Sequence, residues 1–226
     1  MKKSTFYRAL IYIAGLLILA MGLTLNTKAG LGVSPIISVS YSVSEITHHN
    51  FGNTTFVLYS IFVIMELILH ANRVDRRLLF LMDVLQIPLS MVFTRFLNVF
   101  SAVLPDFPQG DMTWPVAGER FLVLILALIC TGIGAAMSLN MRIVPNPGDG
   151  IVQAIADCIH KSVGFTKNCF DLLNVTITVT VSLICTGRLY GVGIGTILAM
   201  IGVGRTIAVF NHFTKEKLTA LAGIEE

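Results

Sequence analysis

Apolar residues gather in six long runs, at about 7–25, 54–71, 78–104, 117–139, 166–186 and 189–211. Several reach the ~18–20 residues that a helix needs to cross the hydrocarbon core of a bilayer. Helix is the expected form, because an open sheet would leave unpaired backbone groups in lipid. Two further runs are short and partly polar: "SPIISVSYSVSEITHH" at 34–49 and "PGDGIVQAIADCIHK" at 147–161. Each opens on a proline, favoured in the first turn of a helix, behind a Ser or Asn able to cap it. The pattern predicts an all-α polytopic membrane protein with two helices too short to span.

The order of these elements occurs twice. "LNTKAGLGVSP" (25–35) and "LNMRIVPNPGDG" (139–150) both leave a long run through Leu-Asn, pass a basic residue and reach the proline of a short run. With Pro35 set on Pro147, 112 residues on, His48 falls on His160, Gly52 on Gly164, Thr54 on Thr166 and Val63 on Val175. Leu25-Asn26 matches Leu139-Asn140, and Lys28 matches Arg142. We expect two membrane repeats within one membrane domain, residues 1–112 and 113–226.

Loop charge then sets the topology. Lys2, Lys3 and Arg8 place the N-terminus in the cytoplasm by the positive-inside rule. If 34–49 dips in and returns, "NRVDRR" (72–77, with Arg73, Arg76 and Arg77) falls inside and the loop 105–120, with Asp106 and Asp111, outside. Lys161, Lys167, Lys215 and Lys217 also fall inside, leaving Lys28 and Arg188 outside. Eight full crossings would put NRVDRR outside. The charges therefore favour six spans, two re-entrant helices, cytoplasmic termini and repeats inverted with respect to one another, an architecture of transporters.

Composition agrees: 54% hydrophobic, 13% charged, with a mean hydropathy of +0.79. The formal charge of +3 forms no cluster that would suit nucleic acid. Cys130, Cys158, Cys169 and Cys185 lie in or beside apolar segments without CxxC pairing, and read as small lipid- or core-facing residues. The N-terminus has the basic-then-apolar order of a signal peptide, with "TKAG" as a weak cleavage site. We expect it to be retained, since the run is long and has a counterpart in mid-chain. No Ser/His/Asp set, HExxH or paired-cysteine motif supports catalysis, and no cofactor or metal is implied. The partners expected are the bilayer and a small-molecule substrate; homodimerisation is left open.

Candidate chemistry sits at the short helices. Their N-termini carry the positive ends of helix dipoles, offered near Ser34, Pro35, Asn146, Pro147 and Gly148. Lys28 and Arg142 are expected nearby, which would suit an anionic group; snorkelling to headgroups is the alternative. Asp149 stands where the first copy has Ile37, and could hold an ammonium group, carry a proton, neutralise Arg142 or merely cap a turn. Asn26 and Asn140 are either ligands or helix C-caps. Asp83, in "LFLMDVLQIP", and Asp171, in "KNCFDLLN", are candidates for proton coupling, since an acid within a span is costly and functional by default. Against these stand an interfacial Asp83 and a structural Asp171. Glu66 in "IFVIMELILH" either pairs with His70 one turn on or sits near the membrane surface. His48 and His160 read as turn residues. "YGVGIGTILAMIGVG" (190–204) is a small-residue pattern for close helix packing.

At "LNTKAGLGVSP", "PNPGDGIVQAIAD" and "YGVGIGTILAMIGVG" the chain resembles the YczE/YyaS/YitT group of bacterial inner-membrane proteins. Pro147, Asp149, Gly193, Gly195 and Thr196 fit its most specific parts, while Ile37 departs from the Asp that the group often has there. The resemblance implies a bacterial plasma-membrane location. The expected function is a small secondary transporter for an organic anion or zwitterion, with a site between the repeats. The alternatives are a substrate-binding membrane subunit of a larger transporter, which copurification of an ATPase would mark, and an accessory membrane protein that moves nothing.

Overall fold

The computed structural model describes residues 3–71, 76–106 and 113–224. Lys2, Arg73 and Asp111, used above to argue topology, lie outside the described residues, as does the side chain of Arg76. The described residues form eight helices and no strand: α1 (Lys3–Ala29), α2 (Pro35–Thr47), α3 (Phe51–His70), α4 (Arg76–Val103), α5 (Trp114–Asn140), α6 (Pro147–Ile159), α7 (Val163–Thr186) and α8 (Ile194–Leu221). All but α2 and α6 are long and apolar enough to cross a membrane. The chain is a multi-pass membrane protein by this measure.

α2 and α6 are each 13 residues long, or about 20 Å at helical rise, against a hydrocarbon core of about 30 Å. Each starts at its proline and stops where a histidine, His48 or His160, turns left-handed at φ 57° and 54°. A left-handed residue ends a helix by turning the chain off its axis. Both histidines are exposed at these turns, as their sequence context suggested.

The helices sort into two compact units, each drawing on both halves of the chain. One holds α1, α5 and α8. Here α1 and α5 run antiparallel, with small residues at the crossing: a side-chain carbon on Gly22 would meet Thr131, and one on Gly134 would meet the backbone of Leu19. Arg8, near the start of α1, donates to the carbonyls of Met141 and Arg142 past the end of α5, at 2.8 and 2.7 Å. The glycine run expected to permit close packing does so at its start. Gly195 N–H donates to Leu31 O at 2.7 Å, and Gly193 and Gly195 leave no room for a Cβ against residues 31 and 32.

The other unit holds α2, α3, α6, α7 and most of α4. α2 lies along α7 in the same direction. Ser38 and Ser42 face Thr178 and Ser182, each pair at 2.7 Å, while Ser40 bonds Thr55 of α3 at 3.1 Å. α6 lies along α3 in turn: Asn146 and Gly148 reach Tyr59, and Gly150 reaches Glu66. α4 closes on α3 where Gly52 N–H donates to Asn98 and Tyr59 stacks on Phe93.

Candidate functional site

The first turns of the short helices meet. A Cβ on Gly148 would stand 2.9 Å from Ile36 Cδ1, so the start of α6 lies against the start of α2. Tyr59, near the middle of α3, lies beside both Asn146 and Gly148, so the start of α6 sits at the mid-height of a spanning helix. α2 has the matching placement on α7. Its Ser38 bonds Thr178, which puts Pro35, one turn earlier, near the middle of Val163–Thr186.

Polar groups are concentrated around this meeting point. Ser34 and Asn146 precede the two prolines and are buried. Asn146 donates to the Tyr59 hydroxyl at a long 3.4 Å, while its Oδ1 is buried with no partner. The Asn146 carbonyl accepts from the N–H groups of Asp149 and Gly150 at 2.8 and 2.9 Å, closing the first turn of α6. Asp149 is half-buried in that turn. Lys167 and Asp171 of α7 are the charged groups that act on it. On α7, Asp171 is 1% exposed and pairs with Lys167 at 3.2 Å, while Asn174 donates to Phe170 O instead of joining Asp171.

Lys28 and Arg142 do not come together. The antiparallel run of α1 against α5 sets Lys28 at one end of the pair and Arg142 at the other. Lys28 holds exposed Asp106 at 2.5 Å, and Arg142 is an exposed turn residue at φ 47° whose carbonyl serves Arg8. A pocket flanked by both cations is thereby excluded. Asn26 reaches forward to Gly32 O at 3.4 Å, tying down the segment after α1, and Asn140 bonds Asn211 of α8 at 2.8 Å. Asn26 lies within α1, three residues before its end at Ala29, and so is no C-cap, while Asn140, the last residue of α5, makes a cross-helix bond.

A second polar cluster joins α3 to α4, and only part of it was marked in the sequence. Asp83 is 2% exposed, and its Oδ2 pairs with Nδ1 of His70, the last residue of α3, at 2.8 Å. His70 therefore partners Asp83 and not Glu66. Glu66 instead accepts from Gln86 Nε2 at 2.6 Å. The signal available was spacing: Glu66 and His70 one turn apart on α3, Asp83 and Gln86 nearly one turn apart on α4. The four cysteines are free, and Cys158, Cys169 and Cys185 are exposed on their helices. Among the described residues no group of three His, Cys, Asp or Glu is arranged to hold a metal ion.

Residues 6–212 match a family model described as a family of unknown function, DUF6198. The chain belongs to that family. No curated protein and no solved structure matches it. In this DUF6198 protein the Lys28–Asp106 pair is expected to matter little, since Asp106 is 83% exposed and water screens it. Lys28→Ala should lower thermal stability by less than about 1 kcal/mol, read by melting of the purified protein in detergent.

Proposed function

We propose that this protein is a small secondary transporter that carries a zwitterion or organic anion on a site at the joined N-termini of α2 and α6. The observation that carries the reading is the meeting of two helix starts, at Ile36 and Gly148, beside the mid-height Tyr59 of a spanning helix. Helix starts aimed at the middle of a membrane are an unusual expense unless a negatively charged group is to be held there. Asn146 Oδ1, buried without a partner, adds an acceptor that a bound amine or hydroxyl would satisfy. With Lys28 and Arg142 at a distance from one another and Asp149 and Asp171 close by, a zwitterion fits better than a bare anion: its carboxylate at the helix starts, its ammonium toward Asp149.

The reading takes the chain as two inverted copies, with α2 and α6 re-entrant and both termini cytoplasmic in a bacterial plasma membrane. Equal short-helix lengths, prolines 112 residues apart, matching histidine caps and the exchanged pairing of α2 with α7 and α3 with α6 all support it. The likeness to the YczE/YyaS/YitT group is part of the same reading.

Two measurements test it. In a form lacking the four native cysteines, Asn50→Cys should react with an impermeant reagent from outside and Ala71→Cys from inside. The reverse pattern would mean eight crossings and remove the re-entrant helices. The purified chain in liposomes should take up at least one radiolabelled member of a panel of amino acids and small carboxylates when a pH gradient is imposed. Absence of flux across the panel, with no binding either, would turn the reading toward an accessory protein.

A further inference from the structure

The interior acid of α3 lies against the same helix start. Glu66 is 1% exposed, and Gln86 donates to its Oε2, yet its Oε1 is buried without a partner. Gln86 Oε1 is an orphan too, and Gln86 is wholly buried. Asp83, paired with His70, is a neighbouring carboxylate that acts on Glu66 through its charge. Two orphan acceptors beside two carboxylates form an arrangement that lacks one positive charge or one donor. A buried acceptor without a partner costs about 1–3 kcal/mol, and neighbouring carboxylates resist joint ionisation.

The first turn of α6 presses on this group. A Cβ on Gly150 would stand 2.7 and 2.8 Å from the two Glu66 oxygens, so the carboxylate lies flat against the helix. At an offset of 112 residues, Gly150 corresponds to Ser38 and Glu66 to the Thr178 that Ser38 bonds. There a neutral hydroxyl pair joins short helix to long. Packing at this place therefore works without an acid, and where α6 meets α3 a glycine and a carboxylate stand in place of the hydroxyl pair. A cavity of about 370 Å³ lined by Leu67, His70, Ala71, Arg77, Phe80 and Asp83 leads to the cluster.

We propose that Glu66 binds a proton delivered from this cavity through His70 and Asp83, and that the proton decides whether the start of α6 is free for a substrate's carboxylate. His70 takes a proton from hydronium in the cavity, releasing water, Asp83 receives it across the Nδ1–Oδ2 bond, and a water between the two carboxylates relays it to Glu66 Oε1, leaving His70 neutral and Asp83 ionised. The new O–H turns one orphan acceptor into a donor. While ionised, Glu66 is itself the anion at the positive end of α6; once protonated it vacates that role, and an incoming carboxylate can take it. Proton and substrate then bind together. The titratable groups beside Glu66 are His70, one turn on in its own helix, and Asp83 of α4; Arg77 of α4 lines the cavity, and on α6 Asp149 precedes the Gly150 that meets the carboxylate, with Lys167 and Asp171 of α7 acting on Asp149. α2 meets α3 through the hydroxyl of Ser40 and the ring of Tyr41.

The coupling with substrate rests on the transporter reading; the proton site does not. Infrared difference spectroscopy of the full chain in lipid, stepped through pH without substrate, should show a protonated-carboxyl stretching band that shifts in D2O. Glu66→Gln, which keeps size and hydrogen bonding, should lose the band, while Glu45→Gln should keep it. Gly150→Ala should keep the band and shift its midpoint, because the added methyl displaces the carboxylate; this variant also serves if Glu66→Gln fails to fold. A band of full amplitude in Glu66→Gln, or an unmoved midpoint in Gly150→Ala, would overturn the proposal. So would loss of the band on adding sodium chloride in place of choline chloride at fixed pH, which would make the site one for a metal cation. A titrating band without uptake in liposomes would keep the proton site and remove the carrier; uptake without the band would do the opposite.

Discussion

Valine in place of Gly134 will part α1 from α5 and cost the protein much of its stability. A Cβ at this position would stand 2.3 Å from the Leu19 nitrogen and 2.7 Å from the Gly15 oxygen, both backbone atoms that no rotamer change can move. Overfilling a packed interior costs about 1–3 kcal/mol when side chains can adjust. Here the helices themselves must move, so we expect the upper end or beyond. For a chain of this size that corresponds to a fall in melting temperature of roughly 6–12 °C, measured in detergent. Gly204→Ala is the internal comparison. Nothing lies within 4 Å of its added Cβ, and alanine favours a helix over glycine by about 1 kcal/mol, so this variant should hold or raise stability. If Gly134→Val melted like the parent, the close α1–α5 crossing would be wrong.

The second large effect falls on transport. Asp149→Asn preserves shape and the first turn of α6 but removes the charge proposed to meet a substrate's ammonium. A hydrogen bond to a charged group is worth about 1.5–3 kcal/mol, which is roughly ten- to hundred-fold in apparent affinity. Uptake in liposomes at low substrate should therefore fall to near background while the melting temperature holds. Unchanged uptake at every concentration would take Asp149 out of the site. The pairing of these two variants separates damage to the scaffold from damage to the chemistry.

The helices were readable because lipid imposes a strong rule on sequence. The long runs predicted their spans to within a few residues, and the prolines marked the starts of α2 and α6 to the residue. The last run was less faithful: it was expected from 189, but Gly193 lies extended against Leu31 and Gly32, and α8 begins only at Ile194 and continues to Leu221. Its final turns are polar, and hydropathy does not register them. The serines of α2 also mislead the eye, because they alternate with apolar residues as in a strand. They instead form two helical stripes, Ser38 and Ser42 toward α7, and Ser40 toward α3.

The site was harder to see. Lys28 was matched with Arg142 across the two halves, but α1 and α5 run antiparallel, so residues near the C-terminal ends of both fall at opposite ends of the pair. The Glu66–Gln86 and His70–Asp83 bonds join residues 20 and 13 apart on different helices. Which acid takes which partner depends on how α4 rotates against α3, and periodicity within one helix carries no information on that. Tyr59 gave no signal at all: an aromatic residue within an apolar run reads as core until Asn146 is found beside it.

The serines of α2 impose an order on the making of the protein. Ser38 and Ser42 find their partners 140 residues further along the chain. At the usual pace of synthesis, roughly 5–20 residues per second, that is a wait of about 7–28 s. Throughout it Ser38 and Ser40 have the carbonyls of Pro35 and Ile37 in their own helix as acceptors. A chain halted before residue 178 would carry α2 with its hydroxyl seam unmade.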